Sequence, residues 1–237
     1  MKSYSSNNQL GFSPSTLKDR EGFIKSLEKS FKSLPMKPND VNVDLSGGGQ
    51  ATVSVFDLEA MILSLLLDES LMKEENLAPG YDFHSGKPTE PVTHYGEVHT
   101  GDAWEGARDH YCGVYSHNMP IALIIFGDKS HFDLHGTLAT TPVYFTLSCF
   151  CEKARNSVDF WRPMGYLPNL SYGKVSKPDD DHIRRNNVQD EHDCLAVVLQ
   201  PLIDITRRGG IAATIKNRAV IGKVWIHYII GDTQGLN

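Results

Sequence analysis

The apolar positions along the chain change their spacing near residue 120. Before that point they recur at helical intervals, which predicts one amphipathic helix over Leu17 to Leu34 and a second, apolar on most sides, from Val55 to about Leu71. The SGGGQ tract at Ser46 to Gln50 and the polar stretch from Lys73 to Pro91 are predicted to be loops, because glycine and proline interrupt regular structure.

Beyond residue 120 the pattern is typical of strands. Ile121 to Phe126 is a short continuous apolar run, as in a strand that is buried on both faces. Further strands are predicted over Pro142 to Phe150, Phe160 to Leu167, Ile211 to Ile215 and Val224 to Ile230, of which the last two form a hairpin or successive strands. Pro163 predicts a sheet-edge position for its strand, because proline cannot donate a ladder hydrogen bond.

One helix is predicted among these strands. Glu191 to Arg208 has helical periodicity, Pro201 is expected to kink it, and Gly209-Gly210 ends it. The charged stretch from Lys174 to Gln189 before it is predicted to be a loop. The chain therefore divides into a disordered lead-in over 1–16, a mainly helical and loop region over 17–118, and an α/β region over 119–237.

Composition and charge narrow the class of protein. The 237 residues carry a formal net charge of −6, and four cysteines are too few for a disulfide scaffold, so we expect reduced thiols in an intracellular protein. No apolar run approaches the roughly 20 residues that span a bilayer, and no signal peptide is evident, so no membrane partner is expected.

One segment is basic, although the chain as a whole is acidic. Between Ile205 and Ile230 the chain has five basic residues and no acid. We call these residues the basic strip: Arg207, Arg208, Lys216, Arg218 and Lys223. A globally acidic protein is a poor candidate for coating nucleic acid, but a local strip can hold phosphates. A solvated face is the alternative interpretation.

Two strands end in the same dipeptide. IIFGD ends at Asp128 and IIGD ends at Asp232, so parallel, adjacent strands would bring both carboxylates to one sheet edge. Two close carboxylates repel each other unless they are protonated or bridged by a cation, and Mg²⁺ is a natural bridge. The alternative is that each aspartate caps a turn through its side chain.

Two other groups of residues offer metal chemistry. His131, Asp133 and His135 alternate in HFDLH, as on one face of a strand, which could suit a transition metal. His110, Cys112 and His117 could form a zinc site, although the paired spacing of zinc ligands is missing. A polar turn leading to Gly136 is the alternative interpretation of HFDLH, and Cys149 and Cys151, which alternate on a strand, are expected to be buried, inert thiols.

Several segments together resemble a known family. VFDLEAMILSLLLDESLM, GEVHTGDAW, IIFGDKSHFDLHGTLATTPVYFTLSCF and RNSVDFWRPMGYLPNL are similar to the Plavaka-type transposases, which belong to cut-and-paste elements with an RNase H-like core. The resemblance runs from about Val53 to the end, and Ser130 stands where the family commonly has threonine. It implies an α/β fold with an incomplete RNase H-like mixed sheet in the C-terminal half.

The resemblance also implies a chemistry. An acidic triad would bind two Mg²⁺ or Mn²⁺ ions, with Asp128 as its first member and Asp232 as its second. The third normally comes from a later helix, and the sequence ends five residues after Asp232, so we expect a transposase fragment that is inactive alone.

The expected partner is DNA, at transposon ends in intact relatives, contacted through Arg207, Arg208, Lys216 and Arg218. A homo-oligomer is compatible with the resemblance. The expected location is nuclear if the protein acts as a transposase, and otherwise cytoplasmic. A non-catalytic protein-interaction relic and a His/Asp metallohydrolase remain open as alternatives.

Overall fold

The computed structural model describes residues 37–46, 49–92, 96–127, 130–131, 139–170 and 180–231, with only the backbone described at 130–131, 139 and 180–187. Within these ranges the strands are β1 Asn39–Asp44, β2 Gln50–Val55, β3 Asn118–Gly127, β4 Ser130–His131, β5 Ala139–Leu147, β6 Arg162–Pro168, β7 Ile211–Ile215 and β8 Arg218–Gly231. The α-helices are α1 Leu58–Leu66, α2 Asp102–Cys112, α3 Glu152–Arg155 and α4 Asp180–Arg207. None of these helices combines the length and the apolar character needed to span a membrane.

One mixed sheet organises the described residues. The strands follow the order β1-β2-β6-β5-β3-β8-β7, and β4 pairs with β5. β3 and β8 pair in parallel, whereas the other pairs in the sheet are antiparallel. The predicted α/β class with a mixed sheet is therefore confirmed.

Helices cover both faces of the centre of the sheet. Leu123 and Ile125 of β3 lie in one apolar core with side chains of α1 and α4. Ala122, which precedes Leu123, packs with Trp104 and Cys112 of α2 in a second core. Because successive strand residues point to opposite faces, α2 lies on the face opposite α1 and α4. This double burial explains why β3 is a continuous apolar run.

The N-terminal part of the described chain contains a β-hairpin that the sequence did not predict. β1 and β2 form an antiparallel hairpin around the glycine-rich loop, and β2 continues to Val55. The predicted second helix begins only at Leu58, after Asp57 caps it by accepting a hydrogen bond from the N–H of Ala60 at 3.0 Å. The helix over Leu17 to Leu34 and the lead-in over 1–16 lie outside the described residues.

The predicted edge position of the proline-containing strand is wrong, because β6 lies between β2 and β5. Pro163 is accommodated by two local features. β5 and β6 shift register between Val143 and Tyr144, next to Pro163, and β2 pairs with β6 only at Gly165 and Tyr166. The ladder is therefore irregular close to the residue that has no N–H to donate.

The C-terminal elements are close to the prediction. α4 begins at Asp180, within the stretch predicted to be a loop, and contains Pro201 as expected. After it, Gly209 and Gly210 have φ angles of 93° and 115°, which fits the predicted helix end. The predicted hairpin is confirmed as β7 and β8, joined by Lys216 and Asn217 at φ angles of 46° and 62°. β8 is longer than its partner, and the pairing with β7 stops at Gly222.

Candidate functional site

The parallel pair β3 and β8 brings together the strand ends that precede the predicted acidic residues. Gly127, the last residue of β3, lies opposite Gly231, the last residue of β8. Asp128 and Asp232 are the next residues of the sequence and lie outside the described residues. The predicted adjacency of the two strands is therefore confirmed, and the roles of the two aspartates stay predictions.

A β-bulge interrupts this pair close to its carboxyl end. Leu123 lies opposite Ile226, but the following residue, Ile124, lies opposite Tyr228. β8 therefore contains one extra residue, His227, at this point. Bulges re-aim side chains and are over-represented next to active sites.

An aromatic cluster surrounds the bulge on the face covered by α2. The ring of Trp104 lies 4.2 Å from that of His99, 5.7 Å from that of Trp225 and 5.6 Å from that of His227, measured between centroids. Its indole N–H donates a hydrogen bond to the carbonyl oxygen of Gly86 at 2.9 Å. His99 and Trp104 both belong to the GEVHTGDAW segment, so this segment packs directly against β8.

Burial disfavours the charged form of both histidines in the aromatic cluster. Burial lowers the pKa of His99 to about 3, with smaller contributions from the charge of Arg155 and from His227. Burial also lowers the pKa of His227. His99 Nδ1 and His227 Nε2 are buried and have no hydrogen-bond partner among the described residues.

A series of contacts also links the GEVHTGDAW segment to the carboxyl end of β3. The Glu97 carboxylate accepts a hydrogen bond from the N–H of Glu152 at 2.9 Å and pairs with the Arg155 guanidinium at 3.1 Å. The carbonyl oxygen of Arg155 accepts the indole N–H of Trp161 at 2.7 Å. The Trp161 ring lies 6.3 Å from that of Phe126, which precedes Gly127. One segment thus supports the end of β3 as well as β8.

The basic strip lies at the other end of β8. Arg218 is its first residue, and roughly 40 Å separates it from Gly231 at the rise per residue of a strand. Arg218 donates to the carbonyl oxygen of Ser116 at 2.6 Å, and the Lys216 ammonium lies 5.4 Å from the centre of the Phe83 ring. The Ser116 carbonyl and the Phe83 ring are both uncharged, so neither neutralises the positive charge of Arg218 or Lys216.

The two arginines at the end of α4 differ from each other. Arg207 is exposed, whereas Arg208 forms an ion pair with Glu59. Lys223, within β8, donates to the carbonyl oxygen of Gly209 at 2.7 Å. The structure therefore groups the basic strip near the start of β8, away from the strand ends that precede the predicted acids.

Of the two alternative metal sites, the structure describes only the segment of the predicted zinc site around Cys112. Cys112 is buried, burial raises the pKa of its thiol to about 11, and the segment around it forms α2. Among residues that the structure describes, no group of three or more histidine, cysteine, aspartate or glutamate side chains is arranged to hold a metal. The side chains of His131, Asp133 and His135 lie outside that part of the chain.

Comparison with known families decides the class of the protein. The family model described as Plavaka transposase matches residues 28–233, which is most of the chain. The chain belongs to the Plavaka transposase family. No curated protein and no solved structure is significantly similar to this Plavaka family member. The match includes the GEVHTGDAW segment, the bulge in β8 and both predicted acids.

Sequence reasoning missed the role of the aromatic cluster. The density of histidine and aromatic residues in His94 to Cys112 was a signal, but it pointed to zinc. The structure uses His99 and Trp104 from this segment as packing partners of β8. The contact spans more than one hundred residues of sequence, so no local pattern could have assigned it.

Proposed function

We propose that this chain contains part of an RNase H-like transposase core, and that in intact relatives this core carries out DNA phosphodiester cleavage and strand transfer with two Mg²⁺ or Mn²⁺ ions. Two features support the proposal. The chain belongs to the Plavaka transposase family. The order of β3, β5, β6 and α4, followed by the β7–β8 hairpin with β8 parallel to β3, supports an RNase H-like assignment.

The observation that carries the proposal is the register of Gly127 opposite Gly231. Carboxylates that directly follow two neighbouring parallel strands are suited to share a cation, because side chains at the carboxyl ends of such strands converge on one edge. Carboxylate oxygens are the ligands that Mg²⁺ prefers in proteins. The donor types present at Asp128 and Asp232 therefore fit the metal that the family implies.

In this proposal Asp128 and Asp232 hold the ions. Bound divalent ions would stabilise the charge that develops on a phosphate during in-line displacement. The role of the protein is to fix the two carboxylates on a rigid sheet, so that little reorganisation is needed when DNA binds. No residue of this chain is assigned as the third acid that the resemblance implies. The experiment below therefore tests metal binding rather than catalysis.

The DNA contact that we propose uses the basic strip. Its distance of roughly 40 Å from the strand ends corresponds to about 12 base pairs of duplex. Arg207, Lys216 and Arg218 would therefore contact the backbone of flanking DNA rather than the phosphate under attack. The rest of the chain is acidic, which favours a localised contact over general coating of nucleic acid.

Mn²⁺ binding followed by calorimetry and electron paramagnetic resonance tests the metal site. We expect Asp128→Asn and Asp232→Asn each to weaken Mn²⁺ binding by roughly 10-fold or more, because each removes a charged ligand. Glu69→Gln, which removes an exposed carboxylate elsewhere, is the matched control. Mn²⁺ binding that survives both aspartate substitutions would refute the proposal. Duplex binding without metal binding would favour a non-catalytic module.

A further inference from the structure

The bulge at His227 decides which residues end up opposite each other at the end of the parallel pair. Before it, Leu123 lies opposite Ile226, and after it, Gly127 lies opposite Gly231. An uninterrupted ladder continued from Ile226 would instead place Gly127 opposite Ile230. A shift of one residue turns every later side chain of the strand to the other face of the sheet.

The residues after the bulge do little to fix this register themselves. Tyr228, Ile229 and Ile230 are 45%, 59% and 50% exposed, although they alternate between the two faces. Burial of apolar side chains therefore gives a weak preference for one register over the other. The outer edge of β8 adds no restraint here, because β7 pairs with it only as far as Gly222 in the part of the chain that the structure describes.

The bulge residue itself has a specific environment. The His227 ring lies 5.6 Å from the Trp104 ring and 4.4 Å from the Tyr228 ring, and its Nε2 is buried. Trp104 is in turn fixed by its hydrogen bond to Gly86 and by its contact with His99. These contacts place the ring of the extra residue, His227, against Trp104.

We propose that His227 is a positioning residue: its ring, packed against Trp104, holds the bulge that sets Gly127 opposite Gly231, the residues that directly precede Asp128 and Asp232 in the sequence. The importance of this register for metal binding rests on the proposed function. The proposed role of His227 in setting the register does not depend on that function. In this proposal the GEVHTGDAW segment holds the bulge in place, because it supplies Trp104.

Substitution and deletion of His227 are expected to have different effects on the register of β8. His227→Val removes the ring and keeps the extra residue, so we expect β8 to straighten and the later residues to slip by one. Deletion of His227 removes the extra residue, so a straight ladder still places Tyr228 opposite Ile124 and Gly231 opposite Gly127. His227→Phe keeps a ring against Trp104 and is expected to keep the bulge.

Cysteine pairs report the two registers without any metal. Phe126→Cys with Ile230→Cys joins residues that lie opposite each other in the structure, whereas Phe126→Cys with Ile229→Cys joins the pair expected after the slip. Oxidation and peptide mass mapping distinguish these cross-links from the native cysteines. We expect the first pair to cross-link in the otherwise unchanged chain, in His227→Phe and in the deletion, and the second pair only in His227→Val.

Mn²⁺ affinity measured on the same variants without the added cysteines completes the test. We expect His227→Val to weaken binding by roughly 10- to 100-fold, as for other residues that orient metal ligands, and the deletion to bind like the unchanged chain. Cross-linking of the first pair in His227→Val, or its loss in a folded deletion variant, would overturn the positioning role. Absence of Mn²⁺ binding by the unchanged chain would refute the proposed function and leave the cross-linking result intact.

Discussion

Among single residues, Trp104 of helix α2 contacts several separate segments of the chain. Its ring contacts His99 and Trp225, and its N–H is bonded to the loop at Gly86. Only 2% of the residue is exposed. The second core of the protein is therefore built around this one indole.

We expect Trp104→Ala to lower the free energy of unfolding by about 3–5 kcal/mol, because it leaves a cavity and an unpaired carbonyl oxygen at Gly86. Urea denaturation measures this change. Tyr115→Ala is the control, since the Tyr115 residue is 64% exposed and its loss is expected to cost less than about 0.5 kcal/mol. Equal effects of the two substitutions would contradict the central place of Trp104.

The neutral His99 makes stability depend on pH in one direction. Its pKa is about 3 in the folded protein and near the ordinary value of 6.5 in the unfolded chain. Between these values the unfolded chain binds a proton that the folded protein does not, so stability falls as the pH falls from about 6.5 toward 3. Above pH 6.5 the imidazole is neutral in both states and contributes nothing.

We expect the pH dependence to be reduced in His99→Phe, by as much as about 1.4 kcal/mol per pH unit between pH 6 and pH 4. Urea denaturation at several pH values measures the slope for both proteins. The comparison cancels the contributions of the carboxylates, which both proteins retain. Parallel slopes would show that His99 is protonated in the folded protein over this range.

At the scale of elements, the approach of α4 to the sheet depends on a missing side chain. A Cβ atom at Gly165 of β6 would lie 2.6 Å from the carbonyl oxygen of Ser54 and 2.8 Å from Val198 Cγ2 of α4. Glycine therefore allows the helix and two strands to meet closely at this point. Gly106 in α2 differs, since a Cβ atom added there would meet no other described residue within 4 Å.

These two glycines give a matched pair of substitutions. Gly165→Ala is expected to destabilise the protein by about 1–3 kcal/mol, because the helix must move away from the sheet. Gly106→Ala is expected to stabilise it by about 0.5–1 kcal/mol, because alanine is the better helix former. Thermal or urea denaturation of both variants measures the difference. A stabilising effect of Gly165→Ala would contradict the close packing of α4.

Elements with a local signal could be predicted from the sequence, and those that depend on distant partners could not. β3 was recognised from its unbroken apolar run, and the end of α4 from Gly209 and Gly210. β1 was missed because its side chains are mostly exposed and polar, so its strand character comes from pairing with β2. The position of β6 was missed because β2 reaches it across more than one hundred residues.

The same division applies to the candidate site. Repetition of Gly-Asp after two apolar strands indicated a shared sheet edge on the condition that β3 and β8 are adjacent and parallel, and the pairing shows that they are. The bulge left no trace in the apolar pattern, because His227 lies between residues that suit a strand in either register. The separation of the basic strip from the strand ends also required the length and direction of β8.

At the scale of the whole molecule, charge is distributed so that one end of β8 is basic while the chain as a whole is acidic. Lys216 is informative because its φ of 46° is unfavourable for lysine, and asparagine is preferred in such hairpin turns. Replacement by asparagine removes the charge and relieves the backbone, at the expense of the contact with Phe83.

We expect Lys216→Asn to change the free energy of unfolding by less than about 0.5 kcal/mol, because the two effects oppose each other. If Lys216 contacts a DNA phosphate, the slope of log K against log salt concentration falls in magnitude by about 1. Fluorescence anisotropy with a duplex at several salt concentrations measures the slope. Lys73→Asn, at an exposed lysine outside the basic strip, is the control and should leave it unchanged.

The parallel pairing of β3 with β8 also governs when the protein can fold during synthesis. The β3–β8 pair cannot form until Gly231 has left the ribosome, about one hundred residues after β3 emerges, whereas β5 can pair with β3 earlier. Until then one edge of β3 lacks its partner strand, and such distant pairings form slowly. We therefore expect the nascent chain to bind chaperones during the interval in which one edge of its most hydrophobic strand is unpaired.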